Sequence, residues 1–532
     1  MIDLCDEICL VFNLIKNGGE YMKKRAIISV SDKTNLIEFA QGLIQCGFEI
    51  ISTGGTYNVL EAADIQVTAI DEITQFPELL DGRVKTLHPL IHGALLGVRD
   101  KQVHLDQMTM HEIYPIDLVC VNLYPFAQTI SKLNFTHEEA IENIDIGGPS
   151  MIRSAAKNHK FVTVVTDIKD YDMILSEIRA HGDTMLITRQ QLAAKAFQLT
   201  AAYDAIIQEY FTCYLGETMP KKVIQTYEMK QHLRYGENPH QYASFYTSLK
   251  KYRYSISNAV QLHGKELSYN NIQDSEAALQ ILKEFHGESA VVAVKHMNPC
   301  GVGIAKNITL AWNKAYEADP ISIFGGIVAF NQEVNVECAT AMSQLFLEIV
   351  LAPSFEPKAL EILSHKKNIR LLTFDLEGED NLKKCVSVSG GLLIQQEDST
   401  NSVMENLKIV TIKEPTIMQK QDCLFGEKIV KHVKSNAIVI VKDGQTLGIG
   451  AGQMNRIGAA LIALQQAKDK AKGAILASDA FFPMNDTVEL ASKYGIACII
   501  HPGGSIKDQD SVDMCNEKGI AMVITGIRHF KH

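Results

Sequence analysis

The chain has 532 residues, of which 46% are hydrophobic and 21% charged, with a formal net charge of −11. That length leaves room for roughly three to four domain-sized units, and the acidic balance argues against a nucleic-acid partner, since neutralising phosphates needs clustered Lys and Arg. The 11 cysteines are odd in number and lack CxxC spacing, which speaks for a reduced, cytoplasmic chain rather than a disulfide framework, and no apolar run is long enough to span a membrane.

Met1 to Tyr21 carries Asp3, Asp6 and Glu7 where a secretory signal would be basic. Met22-Lys23-Lys24-Arg25 leads into a strand and reads as the start, so residues 1–21 are expected to be an upstream extension outside the native protein. Ala26 to Val30 is the first expected strand. Ser31 is then a good N-cap for a helix with Leu36, Phe39, Ala40, Leu43 and Ile44 on one face, stopped by Gly47. Phe48 to Ser52 is the next strand. It runs into Thr53-Gly54-Gly55-Thr56 and a further helix. Strand, Gly-rich turn and helix N-terminus together offer backbone N–H groups and a dipole to an anion, and Ser31 with Lys33 repeats the arrangement one helix earlier. Either turn alone also fits an ordinary, well-capped connection.

Gly82-Arg83-Val84-Lys85-Thr86-Leu87-His88-Pro89 places two cations and a hydroxyl between Gly and Pro, and so reads as a loop. Ile116 to Val121 is a strand ending in Asn122-Leu123-Tyr124-Pro125. Asp145-Ile146-Gly147-Gly148 precedes a segment bearing Arg153 and Lys157; Phe161 to Val165 is another strand, and an amphipathic helix from about Arg189 to Tyr214 closes the unit. Strand–helix alternation of this kind predicts a parallel, doubly wound sheet with its polar clusters at strand ends.

After a Pro220-Lys221-Lys222 junction, Arg234 to Gln241 forms a turn-rich segment that fits either an anion-binding loop or a surface linker. Ala290 to Lys295 is an apolar, β-branched run that ends abruptly in Lys295-His296-Met297-Asn298-Pro299. A fixed cation beside a group that titrates near neutrality suits acyl or formyl transfer: one stabilises an oxyanion, the other moves a proton. Two residues alone also fit a solvated strand end. The run has a counterpart. Ala437 to Lys442 matches it at an offset of 147, and Gly448-Ile449-Gly450 matches Gly301-Val302-Gly303 at the same offset. A helical segment and a further strand follow each, so the second half is expected to hold two tandem copies of one unit. In the second copy Asp443-Gly444, a turn signal, stands where the first has His296-Met297. Gly448 to Gln453 lacks the last glycine of a dinucleotide fingerprint. His286-Gly287-Glu288 with Pro299-Cys300 resembles a zinc deaminase signature, but Gly303 stands where its second Cys belongs; no metal is expected.

The first-half motifs occur in the order seen in inosine monophosphate (IMP) cyclohydrolase, a domain with a methylglyoxal-synthase-like fold. They are Ser31 to Thr34, Thr53 to Thr56, Gly82 to Pro89, Asn122 to Pro125, Asp145 to Gly148 and Ala155 to His159. The second half resembles 5-aminoimidazole-4-carboxamide ribonucleotide (AICAR) formyltransferase, in which two cytidine-deaminase-like subdomains pack together without the metal. The matching stretches are Arg234 to Gln241, Lys295 to Gly301, Ser435-Asn436, Gly448 to Arg456, Ser478 to Pro483, Gly503-Gly504-Ser505 and Arg528-His529-Phe530. The chain thus resembles the bifunctional purine-biosynthesis family that joins both activities.

The resemblance implies an α/β fold: a methylglyoxal-synthase-like, doubly wound domain over 22–218, then a formyltransferase domain over 219–532 with two cytidine-deaminase-like subdomains, about 225–380 and 381–532. It implies formyl transfer from 10-formyltetrahydrofolate to AICAR, with Lys295 stabilising the oxyanion and His296 moving the proton. Arg234, Tyr235, Gly325, Glu348, Asn436, Arg456, Phe481 and Arg528 would hold the nucleotide, and Ile457, Asp486 and Ser505 would contact the folate. Dehydrative ring closure to IMP would follow in the first domain. There Ser31, Lys33, Thr53, Gly54, Gly55 and Thr56 grip the phosphate, and Arg83, Thr86, Asn122, Ile146 and Gly147 border the substrate. Lys157 would transfer a proton while Lys85, Tyr124 and Asp145 polarise and orient. A lysine beside an aspartate serves either as a charge pair or as a tuned acid, and both readings stay open here. The resemblance further implies a homodimer with the formyltransferase sites at the subunit interface. A methylglyoxal-synthase-type lyase would leave the C-terminal half unexplained, and a non-catalytic nucleotide-binding regulator would have little use for intact Lys85, Lys157, Lys295 and His296.

Overall fold

The computed structural model describes residues 23–532 apart from Glu78, Leu133, Leu249, Asn381 and Leu382; the expected extension over residues 1–21 lies outside them. The chain divides into two units, with the boundary between Thr226 and Tyr227.

The first unit is built on a five-stranded sheet of β1 (Lys24–Val30), β2 (Phe48–Ser52), β3 (Val67–Ala69), β4 (Leu118–Asn122) and β5 (Thr163–Val165), in the order β3-β2-β1-β4-β5. Every pairing is parallel, as the strand–helix alternation requires. Ala26, Ile27 and Ile28 of β1 are fully buried, the mark of a central parallel strand covered on both faces. The strand order reverses between β2 and β4, on either side of β1. This is the switch point at which open α/β sheets leave a crevice beyond the strand C-termini.

Two local expectations change. The helix after β1 spans Leu36–Gln45 and begins at Asn35, which has a left-handed φ of 55° and makes no side-chain cap; Ser31 is not its N-cap. Asp32 accepts from the Thr34 N–H (3.0 Å) and from its hydroxyl (2.7 Å), so the chain first makes an Asx turn. The long helix starts a little earlier than expected, at Leu186, and runs to Tyr214.

The second unit begins with a hairpin of β6 (Glu228–Leu233) and β7 (Ala243–Thr247), whose connection carries Arg234 to Gln241. Next come β8 (Val260–His263), β9 (Ser289–Lys295), β10 (Asn298–Ala305), β11 (Ile327–Phe330), β12 (Ile349–Ala352) and β13 (Arg370–Thr373). A second hairpin, β14 (Lys383–Val388) with β15 (Gly391–Gln396), leads to β16 (Lys408–Ile409), β17 (Ile438–Lys442), β18 (Gln445–Gly450), β19 (Ile475–Ser478), β20 (Cys498–His501) and β21 (Ala521–Ile524). Outside the two hairpins these strands form one 12-stranded sheet, ordered β16-β21-β20-β19-β17-β18-β10-β9-β11-β12-β13-β8. Read from either end, the order describes the same unit twice, joined by β10 against β18. The duplication expected from the sequence is therefore a duplication of structure.

Each copy contains an antiparallel hairpin whose two turn residues are left-handed. They are His296 (φ 52°) and Met297 (φ 61°) in the first, and Asp443 (φ 52°) and Gly444 (φ 66°) in the second. These are type I′ turns, which match strand twist. In each copy a helix crosses the second hairpin strand so closely that only glycine fits. A methyl on Gly301 or Gly303 would run into the backbone carbonyls of Ala315 or Ala311, and one on Gly448 or Gly450 into those of Ala463 or Ala459. One apolar layer, holding Val292, Val294, Val439 and Val441, is shared by both copies; each copy has its own on the other face.

Strand direction decides where the polar ends fall. β9 runs antiparallel to β10 and β11, β10 to β18, β18 to β17, and β17 to β19, while β20 and β21 run parallel to β19. The C-terminal end of β9, the N-terminal ends of β11, β12 and β17, and the C-terminal ends of β19, β20 and β21 therefore share one edge of the sheet.

Candidate active sites

At the first unit's switch point lies a cavity of about 620 Å³. The end of β1 contributes Ser31 and Lys33. The turn after β2 contributes Thr53, Gly54, Gly55 and Thr56, and the loop before the helix Pro89–Leu96 contributes Arg83, Lys85 and Thr86. The end of β4 supplies Asn122 and Tyr124, and the helix Gly147–Lys157 brings Asp145, Ile146 and Gly147. Residues expected from separate motifs thus line one space.

The anion grip is specific. The helix Gly54–Ala62 starts at the cavity. A methyl built on Gly54 would stand 3.4 Å from Lys85 Nζ, and one on Gly55 3.9 Å from Lys33 Nζ. Two ammonium groups thus flank a helix N-terminus, where unpaired N–H groups and the dipole favour negative charge. The threonine hydroxyls face inward instead. Thr53 Oγ1 lies 2.9 Å from Ser29 Oγ, and Thr56 Oγ1 accepts from the Val30 N–H and donates to the Val30 carbonyl, both at 3.0 Å. Asn122 shapes the turn: its Oδ1 accepts from the Ser31 and Asp32 N–H groups and its Nδ2 donates to the Asp32 carbonyl. Arg83 pairs with Glu142 at the exposed rim.

Asp145 caps the helix Gly147–Lys157, accepting from the Gly148 N–H at 2.8 Å, while its own N–H donates to Tyr203 Oη at 2.8 Å. Burial pushes its carboxyl up, against the pull of the Gly148 and Tyr124 N–H groups and Lys85. Gly147 leaves room for Thr86, whose Oγ1 would lie 2.5 Å from a methyl there.

Within one chain Lys157 lies apart from this cavity. It closes the helix whose N-terminus faces the cavity, about 15 Å away along the axis. It lines a separate depression with Arg153, His159 and Phe197. The structure does not bring it to the residues it was expected to serve.

In the second unit the expected residues lie along the shared sheet edge. Lys295 Nζ donates to the Phe324 carbonyl at 2.8 Å, next to Gly325, whose φ is 70°. His296 is exposed at the hairpin tip. Glu348 accepts from Arg370 at 3.0 Å and from Asn271 Nδ2 at 3.1 Å. The Arg234 guanidinium lies over the Tyr235 ring, 4.8 Å from its centre, and their loop is tied by Asn270 Nδ2 to the Glu237 carbonyl. Asn298 joins the copies, accepting from the Lys434 N–H at 3.1 Å and donating to the His296 carbonyl at 3.1 Å.

From the second copy, Asn436 precedes β17, Phe481 follows β19, Ser505 follows β20 and Arg528 follows β21, where it stacks 4.7 Å over Phe530. Ile457 lies in the first turn of the helix Arg456–Ala467, and Asp486 opens the helix Asp486–Lys493. Arg456 is buried and its guanidinium is used within the chain. It pairs with Asp479, donates to the Ala437 carbonyl at 3.1 Å and donates to Asn436 Oδ1 at 2.8 Å, while Asn436 Nδ2 donates to the Gln453 carbonyl at 2.8 Å. These contacts fix Asn436 and Arg456 at the edge.

Sequence reasoning missed Asp274. From the helix Tyr269–Leu282 its Oδ1 accepts from the Met297 N–H at 2.7 Å. The signal was the repeat itself: Asp422, 148 residues later, accepts in the same way from the Asp443 and Gly444 N–H groups at 2.8 and 2.9 Å. Among the described residues no cluster of metal-ligating side chains occurs, and no helix is long and apolar enough to cross a membrane.

The family model described as the AICARFT/IMPCHase bienzyme matches residues 155–466, and that of the MGS-like domain matches 35–150. The chain belongs to the AICARFT/IMPCHase bienzyme family. Its relatives include the bifunctional purine biosynthesis protein PurH of Listeria monocytogenes serotype 4b, 61% identical over 509 residues that cover 96% of this chain and 100% of the relative. The PurH proteins of Oceanobacillus iheyensis and Anoxybacillus flavithermus, 60% and 58% identical, cover the same shares. Among solved structures, one described as the crystal structure of ForH aligns with 36% of this chain and 100% of its own at 36% identity, with a TM-score of 0.33. The bienzyme family accounts for both halves: the MGS-like match covers most of the cavity motifs, and the bienzyme match covers the paired hairpins.

Proposed function

We propose that the two sites divide the last two steps of IMP synthesis between them. At the edge of the 12-stranded sheet the 5-amino group of AICAR attacks the formyl carbon of 10-formyltetrahydrofolate. That amine is weak, because its lone pair is delocalised into the imidazole and carboxamide, so positioning and proton removal supply much of the rate. His296 takes the amine proton as the new N–C bond forms. Lys295, steadied by the Phe324 carbonyl, faces the oxyanion; the N–C bond to folate then breaks and tetrahydrofolate leaves with a proton. Arg234, Tyr235, Gly325, Phe481 and Arg528 hold the nucleotide, with Glu348, Asn436 and Arg456 shaping their surroundings, and Ile457, Asp486 and Ser505 meet the folate.

In the cavity the carboxamide nitrogen of formyl-AICAR attacks the formyl carbon. The resulting hydroxyl leaves as water with the proton of the former amine nitrogen, closing the ring. Because the step is intramolecular, grip and dipoles matter most. Lys33, Lys85 and the Gly54–Gly55 helix start hold the phosphate, while Tyr124 orients and Asp145 carries the proton. The observation that carries this assignment is the convergence of both ammonium groups on that helix start beside a capped carboxyl. No residue role requires a metal. A second copy of the chain completing the formyltransferase edge would cover Ile321, Phe324, Met454 and Ile506, all large, apolar and exposed, and the enzyme is placed in the cytoplasm.

Purified chain supplied with AICAR and 10-formyltetrahydrofolate is expected to release tetrahydrofolate and IMP, followed by chromatography. Tetrahydrofolate with formyl-AICAR accumulating would contradict the assignment of the cavity, and neither product from folded protein would contradict both.

A further inference from the structure

Asp274 is a half-buried carboxylate that touches the formyltransferase tip without belonging to any motif. The turn it touches is an unfavourable one. Type I′ turns need φ > 0 at both central residues and favour Asn-Gly or Asp-Gly, yet here His296 and Met297 take φ of 52° and 61°. Side chains with a Cβ resist that conformation, so a partner must hold it. Asp274 Oδ1 accepts from the Met297 N–H at 2.7 Å. The carboxylate thus grips the second amide of the turn from the helix Tyr269–Leu282, with the His296 side chain projecting from the residue just before it.

The second copy supplies the comparison. Asp422 holds the corresponding turn through the Asp443 and Gly444 amides, the latter matching that of Met297, and Lys442 Nζ donates to the Lys472 carbonyl before Gly473 as Lys295 Nζ does to the Phe324 carbonyl before Gly325. The scaffold occurs twice; the histidine occurs once.

We propose that Asp274 is a positioning residue for formyl transfer, fixing the left-handed His296-Met297 turn so that His296 stands where the amine proton must leave. This rests on the assignment of Lys295 and His296 above. Asp274→Ala is expected to lower kcat for formyl-AICAR formation about 10²-fold, the cost of misplacing a reacting group by about 1 Å, with KM for AICAR within about threefold. Asp274→Asn keeps an acceptor for one amide and should restore kcat to within about tenfold of the parent. Asp422→Ala is the matched control. It should lower the melting temperature as Asp274→Ala does, yet leave kcat within about threefold, because its turn carries no histidine.

A kcat for Asp274→Ala within threefold of the parent, or an equal loss in Asp422→Ala, would overturn the proposal. Should Asp274→Ala fail to fold, Asp274→Glu takes its place: it keeps the charge but shifts the acceptor by one methylene, and unchanged kcat would overturn the proposal equally. His296→Ala separates the layers. Full activity there defeats the underlying assignment, whereas an inactive His296→Ala beside an active Asp274→Ala defeats only the positioning role.

Discussion

At Asp145 stability and chemistry pull in opposite directions. Burial raises its carboxyl above the ordinary range. A group whose folded pKa is raised contributes stability below its unfolded pKa and loses it as pH rises through the folded one, so at neutral pH the ionised carboxylate opposes folding. Asp145→Asn keeps the acceptor for the Gly148 N–H and removes the charge. It is expected to raise the melting temperature at pH 7 while lowering kcat for cyclisation of formyl-AICAR by about 10²-fold or more, the usual contribution of a positioned proton carrier; calorimetry and a cyclisation assay check the two halves. Lys157→Ala should leave that kcat within about tenfold, and a larger loss would mean that Lys157 reaches the reacting atoms by a route one chain does not offer. The cavity lining was legible in the sequence because Thr53 to Thr56 and Arg83 to Thr86 are contiguous motifs at strand ends. Lys157 stands apart from them in one chain because closeness to Asp145 and Gly147 along the sequence is not closeness in space: a helix separates them. Arg456 and Asn436 were found, but their pairing with Asp479 and with each other is tertiary and left no local signal.

Among the elements, the paired hairpins were the most legible, since an apolar run, a two-residue turn and a Gly-x-Gly recur at fixed offset. The glycines read as part of a repeat; that they are spacers became visible only with the helices in place. Gly448→Ala is expected to destabilise the second unit by about 1–3 kcal/mol or more through overpacking against Ala463, read as a lower denaturant midpoint. A midpoint unchanged from the parent would mean that the helix Arg456–Ala467 can move away freely. Ser31 shows the opposite case. It has the chemistry of an N-cap, but Asp32 and Asn122 capture the neighbouring amides first, so the helix starts later and the Ser31–Lys33 turn becomes part of the cavity wall.

On the scale of the whole molecule, buried charge ties the C-terminal tail of the second unit to its core. Burial disfavours protonated His529, but Asp398 at 2.7 Å and Glu427 outweigh it and raise its pKa from 6.5 to about 9. Its stabilisation is complete below about pH 6.5 and is lost as pH rises through 9. His432 behaves oppositely. Burial outweighs Glu284 and lowers its pKa to about 4, so its share is complete above 6.5 and is lost as pH falls through 4. Denaturant midpoints of the second unit should therefore peak near neutrality, and His529→Gln should flatten the alkaline limb alone; an alkaline limb as steep as the parent's would contradict the assignment. The division into a cavity unit and a duplicated sheet was readable from motif order, whereas the single continuous sheet was not, because β10 and β18 meet across 144 residues of sequence through contacts such as Val302 with Thr446. The most direct test of two separate sites uses one variant of each in the full chain, His296→Ala and Lys85→Ala, assayed with AICAR plus 10-formyltetrahydrofolate and separately with formyl-AICAR. His296→Ala is expected to make IMP from formyl-AICAR but no tetrahydrofolate, and Lys85→Ala to make tetrahydrofolate while formyl-AICAR accumulates. Loss of both activities together in either folded variant would contradict the account.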